Sequence, residues 1–126
     1  MNVSTQLNEY QIPVIVIQLP SGFLNASNAT QIQEELTQII KETNRSVLLD
    51  MSLITFIDSM GLSVLVSVFR ICRNLGLLFK LCSFQSQTKM VLSITGMDTL
   101  FSSYASVQEA LSQFTPAEVS QVENLL

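Results

Sequence analysis

Six consecutive apolar residues, Ile12-Pro13-Val14-Ile15-Val16-Ile17, restrict the fold of this chain more than any other feature. A strand with one wet face alternates polar and apolar residues, so an unbroken run implies a strand covered on both faces. It should be central in a sheet, with Pro13, which cannot donate to a ladder, at its beginning. Helices must then supply the cover. From Ala29 onward Ile32, Leu36, Ile39 and Ile40 recur at helical spacing, opposed by Gln31, Glu34, Glu35, Gln38 and Glu42. Asn25, Ser27 or Asn28 can cap that helix, and Asn44 suits a left-handed stop. Further strands are expected at residues 3–7, 46–51, 77–82 and, as a short edge, 101–104. Further helices are expected from Ser59 to Gly76, over residues 86–95 with Met90, Val91 and Ile94 inward, and over residues 107–114. Strands separated by helices give an α/β layered fold. A tight turn at Asn8-Glu9-Tyr10 makes the first two strands antiparallel, so the sheet is mixed, with four to five strands and about four to five helices.

At 126 residues the chain suits a single domain with one core. That core should occupy about residues 3–114, and residues 115–126 should form a C-terminal tail helix. Thr115-Pro116-Ala117-Glu118 has the form of a capping box with Pro at the first helical position. Val119, Val122 and Leu126 would lay an apolar stripe over the core or, as the alternative, offer it to a partner. No repeat, low-complexity tract or linker marks a second domain.

Composition excludes several functions. Hydrophobic residues make up 48% of the chain and charged ones only 13%, so the surface must carry uncharged polar and apolar residues, which favours protein contact. A net charge of −4, a pI near 4.5 and six scattered Lys and Arg give no basic patch for nucleic acid. Cys72 falls in a helical pattern and Cys82 in a strand pattern, which reads as two buried, reduced thiols rather than a disulfide or metal site. The chain has no His, hence neither the usual base of Ser and Cys hydrolases nor the commonest zinc ligand. No enzyme, catalytic residue, metal or cofactor is expected. Residues 10–33 are uncharged, but Pro13, Pro20 and Gly22 interrupt them, so no membrane-spanning helix is expected. The first residues lack a basic region followed by an apolar one, which argues against a secretory signal and for a cytosolic protein.

The chemistry concentrates where Leu48-Leu49-Asp50-Met51 and then Phe56-Ile57-Asp58-Ser59-Met60-Gly61-Leu62 carry a serine from an apolar strand to the start of an apolar helix. A helix start leaves several N–H groups without intrahelical partners, and Asp58 supplies acceptors for them. A phosphate on Ser59 would sit at the positive end of the helix dipole. By itself the Asp-Ser pair is an ordinary N-cap. Along the helix, Leu62, Leu65, Val66, Phe69 and Cys72 form one apolar face, which Met60, Val64, Val68, Ile71 and Leu75 widen. Ser63, Ser67, Arg70, Arg73 and Asn74 fill only roughly a third of the circumference. Two arrangements fit: a helix wedged between the sheet and a neighbouring helix, or an exposed docking strip of Met60, Val64 and Ile71, flanked by Ser63 and Ser67, beside Ser59.

From Ser46 to Phe114 the order of motifs resembles the STAS family, the bacterial anti-sigma factor antagonists and their relatives. The resemblance rests on Val47-Leu48-Leu49-Asp50-Met51, Phe56-Ile57-Asp58-Ser59-Met60-Gly61-Leu62, Arg73-Asn74-Leu75-Gly76, Ile94-Thr95-Gly96-Met97, Leu100-Phe101 and Ala105 through Leu111. Upstream, Gly22-Phe23-Leu24-Asn25-Ala26-Ser27-Asn28-Ala29 is similar to the family's first loop and helix start. The resemblance implies an antagonist that binds, when unphosphorylated, an anti-sigma factor with serine kinase activity. That kinase phosphorylates the serine matching Ser59 and so releases the antagonist, and a metal-dependent serine phosphatase restores it. Asn25, Asp58, Ser59, Met60, Gly61, Ser63, Val64 and Ser67 are the expected partner-binding residues.

Two positions depart from the family pattern. Asn25 stands where an Asp is frequent, keeping an acceptor for capping but losing the charge. Met60 replaces a small residue and enlarges the surface beside the hydroxyl. Gly61 fits the pattern, either for close approach of a partner backbone or for tight helix packing. Two other functions stay open: a constitutive STAS adaptor or scaffold subunit of a signalling or transport complex, and a small-ligand or nucleotide site at the Asn25, Asp58 and Ser59 loops. The latter lacks a Gly-rich phosphate loop, and a hydrolase using Ser59 lacks a base. Homo-oligomerisation is left open.

Overall fold

The computed structural model describes residues 1–125. The apolar run forms β2 (Pro13–Gln18), its four inner residues buried and Pro13 at its start. β2 is interior to the sheet without being its middle strand. The order is β1 (Asn2–Leu7), β2, β4 (Ser46–Asp50), β6 (Phe79–Cys82) and β7 (Ser102–Tyr104). The middle place belongs to β4, buried at all five positions between two parallel neighbours. β1 is antiparallel to β2 and exposed throughout, and every other pairing in this sheet is parallel, so the sheet is mixed.

The strict alternation of strand side chains divides the core in two. Ile15, Ile17, Val47, Leu49, Phe79 and Leu81 meet Leu36 and Ile40 of α1 (Ala29–Thr43) and Leu65 and Val68 of α2 (Ser59–Asn74). Val14, Val16, Leu48 and Cys82 point the other way, onto Ala110 of α4 (Val107–Leu111) and Phe114. That α4 stops at Leu111 rather than at residue 114 serves this second face. Phe114 follows the helix and is fully buried against the sheet.

Asn44 ends α1 at φ 49°, its N–H donating to the Ile40 carbonyl, in the left-handed conformation expected of it. Thr115 caps α5 (Pro116–Glu123), its hydroxyl accepting from the Glu118 N–H. The Glu118 carboxylate lies instead 3.0 Å from the Lys80 ammonium. Val119 and Val122 are half-buried, and Leu126 lies outside the described residues.

Two further features differ from the expectation. A second, two-stranded sheet pairs β3 (Gly22–Leu24) with β5 (Ile54–Ile57) in parallel. Helix α3 (Ser86–Thr95) buries Thr88 and Leu92 and half-buries Val91, leaving Met90 60% and Ile94 77% exposed. α3 packs against β5 and a short 3-10 turn (Met97–Thr99) rather than flat on the large sheet, so its buried face is narrow.

Both cysteines are free and buried, and burial pushes the Cys72 thiol up to about 12 and the Cys82 thiol up to about 11. Because the folded state holds these protons more tightly than the unfolded chain, their contribution to stability is intact below about pH 9 and fades as the pH rises toward 12. Urea unfolding above pH 9 should therefore show a midpoint that falls less steeply in a Cys72→Val variant than in wild type.

Candidate functional site

The serine is delivered by β5, not directly by β4. After β4, Asp50 closes the turn, its Oδ1 accepting from the Ser52 N–H at 2.9 Å. Its other oxygen accepts from Gln18 Nε2 of β2 at 3.5 Å, so this carboxylate ties the β4–β5 turn to the neighbouring strand. The chain then runs through β5 to Asp58, the N-cap of α2. Asp58 Oδ1 accepts from the Met60 and Gly61 N–H groups, each at 3.0 Å, satisfying two donors of the first turn. Side-chain hydrogen bonds in this turn are made by Asp58 and by Ser63, whose hydroxyl donates to the Met60 carbonyl. Ser59 is exposed at the helix start.

Gly61 settles its own role. A Cβ there would collide with the Leu24 carbonyl and come within 2.6 Å of Ile57 Cγ1. The glycine is buried and allows α2 to pack onto the β3–β5 ribbon, so tight internal packing, not a partner's backbone, requires it. The Leu24 carbonyl also accepts from the Asp58 N–H at 3.4 Å, which brings the loop after β3 beside the serine.

In that loop Asn25 does not cap α1 with its side chain. Its Oδ1 accepts from the Ser27 N–H and hydroxyl at 3.0 and 2.6 Å, while its carbonyl accepts from the Ala29 N–H. The N-cap position is Asn28, whose side chain bonds back to the Asn25 N–H and the Phe23 carbonyl. The loop is thus held by neutral amides, and the missing charge at position 25 costs it no bond.

Of the expected partner-binding residues, Asn25, Asp58, Ser59, Met60 and Ser63 share one accessible region, with Ser67 half-buried two turns along α2. Val64 is corrected: only 1% exposed, it belongs to the core beside Leu65 and Val68 and cannot line a docking strip. At about 100° per residue, position 64 turns inward with 61, 65 and 68. Ile71 is half-buried in a groove between α1 and α2 lined largely by polar residues of α1, away from the serine.

Phe23 and Phe56 are the residues that sequence reasoning missed. They are cross-strand partners in the β3–β5 ribbon, with ring centroids 5.3 Å apart, and remain 58% and 39% exposed. With Met60, 46% exposed in the first turn of α2, they make up the exposed apolar platform of the ribbon and of that turn, which also holds Ser59. The signal lay in the alternation of Phe23 with buried Leu24 and of Phe56 with buried Ile57, but strands of three and four residues are too short for a period to stand out. No group of three or more metal-ligating side chains occurs among the described residues, and none of their helices is long and apolar enough to cross a membrane.

The STAS domain model matches residues 6–110. The chain belongs to the STAS family. A Thermotoga neapolitana protein, provisionally named an anti-sigma factor antagonist, is 30% identical over 100 residues, covering 79% of this chain and 88% of its own length. The crystal structure of a Thermotoga maritima protein given the same provisional description superposes with a TM-score of 0.74 at 25% identity, over 88% of this chain and 92% of that one. The phosphorylated form of SpoIIAA, a Bacillus cell fate determinant, shares the fold at a TM-score of 0.59 and 16% identity, over 90% of this chain and 100% of that one.

The packing at Gly61 yields a direct test. Gly61→Ala should destabilise the STAS domain by about 1–3 kcal/mol, the usual cost of overpacking, and amide exchange should rise first in the β3–β5 ribbon and the first turn of α2. An unchanged denaturation midpoint would show that the junction has slack.

Proposed function

We propose that this chain is an anti-sigma factor antagonist operating in the cytosol as a phosphorylation-controlled binding switch, with Ser59 as the modified residue. One observation carries the reading: the exposed serine stands at the N-terminus of α2 beside an exposed apolar platform, between chain segments that carry no positive charge. None of the six Lys and Arg residues lies in the segments 22–27 or 54–63. In the unphosphorylated form, Phe23, Phe56 and Met60 offer the desolvated aromatic and Met contacts typical of interface cores. Asp58 is spent on its cap and leaves Ser59 Oγ for the partner.

The partner is an anti-sigma factor with serine kinase activity. Ser59 Oγ attacks the γ-phosphorus of ATP, the bond to the β-phosphate oxygen breaks, and ADP leaves as the hydroxyl proton is lost. A serine phosphatase reverses the change with water, releasing inorganic phosphate. The phosphate adds about 1.5 to 2 negative charges. The positive end of α2 tolerates that charge in the free protein, whereas an interface closed over it must bury the charge next to Asp58. Breaking the charge balance of a buried contact costs about 3–5 kcal/mol, enough to end binding without refolding.

Incubation with the native kinase and ATP, followed by mass spectrometry, should place the phosphate on Ser59. Ser59→Glu should weaken the complex at least tenfold, Ser59→Ala should bind but accept no phosphate, and Phe56→Ala should weaken binding whatever the state of Ser59. A Ser59→Glu variant that binds as tightly as wild type, with no phosphate found on Ser59, would instead identify a constitutive adaptor.

A further inference from the structure

At the opposite end of α2 from Ser59, a cavity of about 580 Å³ opens between that helix, the start of β6 and α5. Its origin is topological. β7 pairs only with Lys80, Leu81 and Cys82, so at Phe79 the side of β6 away from β4 has no strand along it, and α5 borders that gap without filling it. Phe69, Leu77, Leu78 and Val122 give apolar walls, while Lys80 and Arg73 supply two cations against the single carboxylate of Glu118.

Lys80 is a costly residue to place there. Its side chain is 3% exposed, its ammonium 3.0 Å from Glu118 Oε2 and 3.4 Å from the Tyr104 hydroxyl, with the Tyr104 and Phe114 rings within 5.6 Å. A buried ammonium needs compensation, and here it has one hydrogen bond, to the Tyr104 hydroxyl, and the charge of the Glu118 carboxylate. The adjoining surface adds Arg70, one helical turn before Arg73 on the same side of α2. In a chain of net charge −4, three of the six basic residues gather at this one cavity and its mouth. The α5 wall lies beyond residue 110, outside the residues that the STAS model matches.

We infer that this cavity binds a medium-chain carboxylate, its alkyl chain among Phe69, Leu77, Leu78 and Val122 and its anionic head at Arg73 and the mouth. The volume falls within the usual range for small-ligand sites, apolar walls suit an alkyl chain, and a guanidinium pairs a carboxylate with two parallel hydrogen bonds.

Calorimetry and amide NMR with decanoate, below its micelle concentration, test this on the full chain. Saturable one-to-one binding is expected, with shifts at residues 77–80 and 121–125 and none around Ser59. Arg73→Gln should weaken binding at least tenfold, and Val122→Trp, which fills the cavity, should abolish it while the spectrum stays folded. Decyltrimethylammonium should not saturate. Absence of saturable decanoate binding, equal binding of the cationic amphiphile, or full binding by Val122→Trp would each overturn the assignment. So would co-sedimentation with anionic phospholipid vesicles without decanoate binding, which would mean a membrane surface instead.

Discussion

The packing of α2 onto the β3–β5 ribbon through Gly61 is the constraint on which the rest of the site depends. With no room for a Cβ between the helix and the Leu24 carbonyl, the first turn of α2 is held at one distance from the ribbon. Asp58 secures the same turn from the chain's other side by accepting two of its N–H groups. A serine between those anchors has little freedom of backbone, yet its side chain faces outward. The buried stripe of Leu62, Leu65, Val68 and Cys72 extends the restraint along α2 and seats it on the sheet. A modification at the outer edge of so well supported a turn changes surface charge far more readily than it changes the fold.

Electrostatics and apolar area divide the surface between the two ends of α2. At its N-terminus there is an apolar platform, a carboxylate and no cation in the neighbouring segments. At its C-terminus Arg70 and Arg73 stand near Lys80 and its partner Glu118. With no Lys or Arg in segments 22–27 and 54–63, an added phosphate at the first end acts chiefly on whatever is docked there. The second end is positive and apolar.

Much of this was legible in the sequence because strong local signals agreed with the tertiary structure. The unbroken apolar run of β2, the left-handed Asn44, the Asp58 cap and the Thr115-Pro116 helix start each have one cheap conformation. What escaped was decided by packing at longer range. Short β3 and β5 acquire their strand character only from each other, so neither they nor the Phe23–Phe56 pair could be recognised singly. Val64 sits on the flank of a wide apolar arc, and the neighbours of α2, not the arc itself, determine which flank is covered. On α3, Met90 and Ile94 share the spacing of a buried face, but the helix packs against β5 and presents Thr88 and Leu92, with Val91 beside them, to the core instead. Nothing local marks Lys80 within its strand, because its partner Glu118 comes from α5, far along the chain. Fold-level likeness alone would not have chosen the function, since one fold serves many sites.

The central claim is that one phosphate on Ser59 abolishes binding while the fold stays as it is. Preparing the protein stoichiometrically phosphorylated on Ser59 and comparing it with the unmodified form, by affinity for the anti-sigma factor and by residue-resolved amide exchange, addresses both halves at once. The account predicts a loss of affinity of about 100-fold or more, corresponding to a few kcal/mol. Exchange should change only in the β3–β5 ribbon and the first turn of α2, with β4 and the middle of α2 as protected as before. Unaltered affinity, or a loss of protection running through β4 and the core of α2, would contradict it.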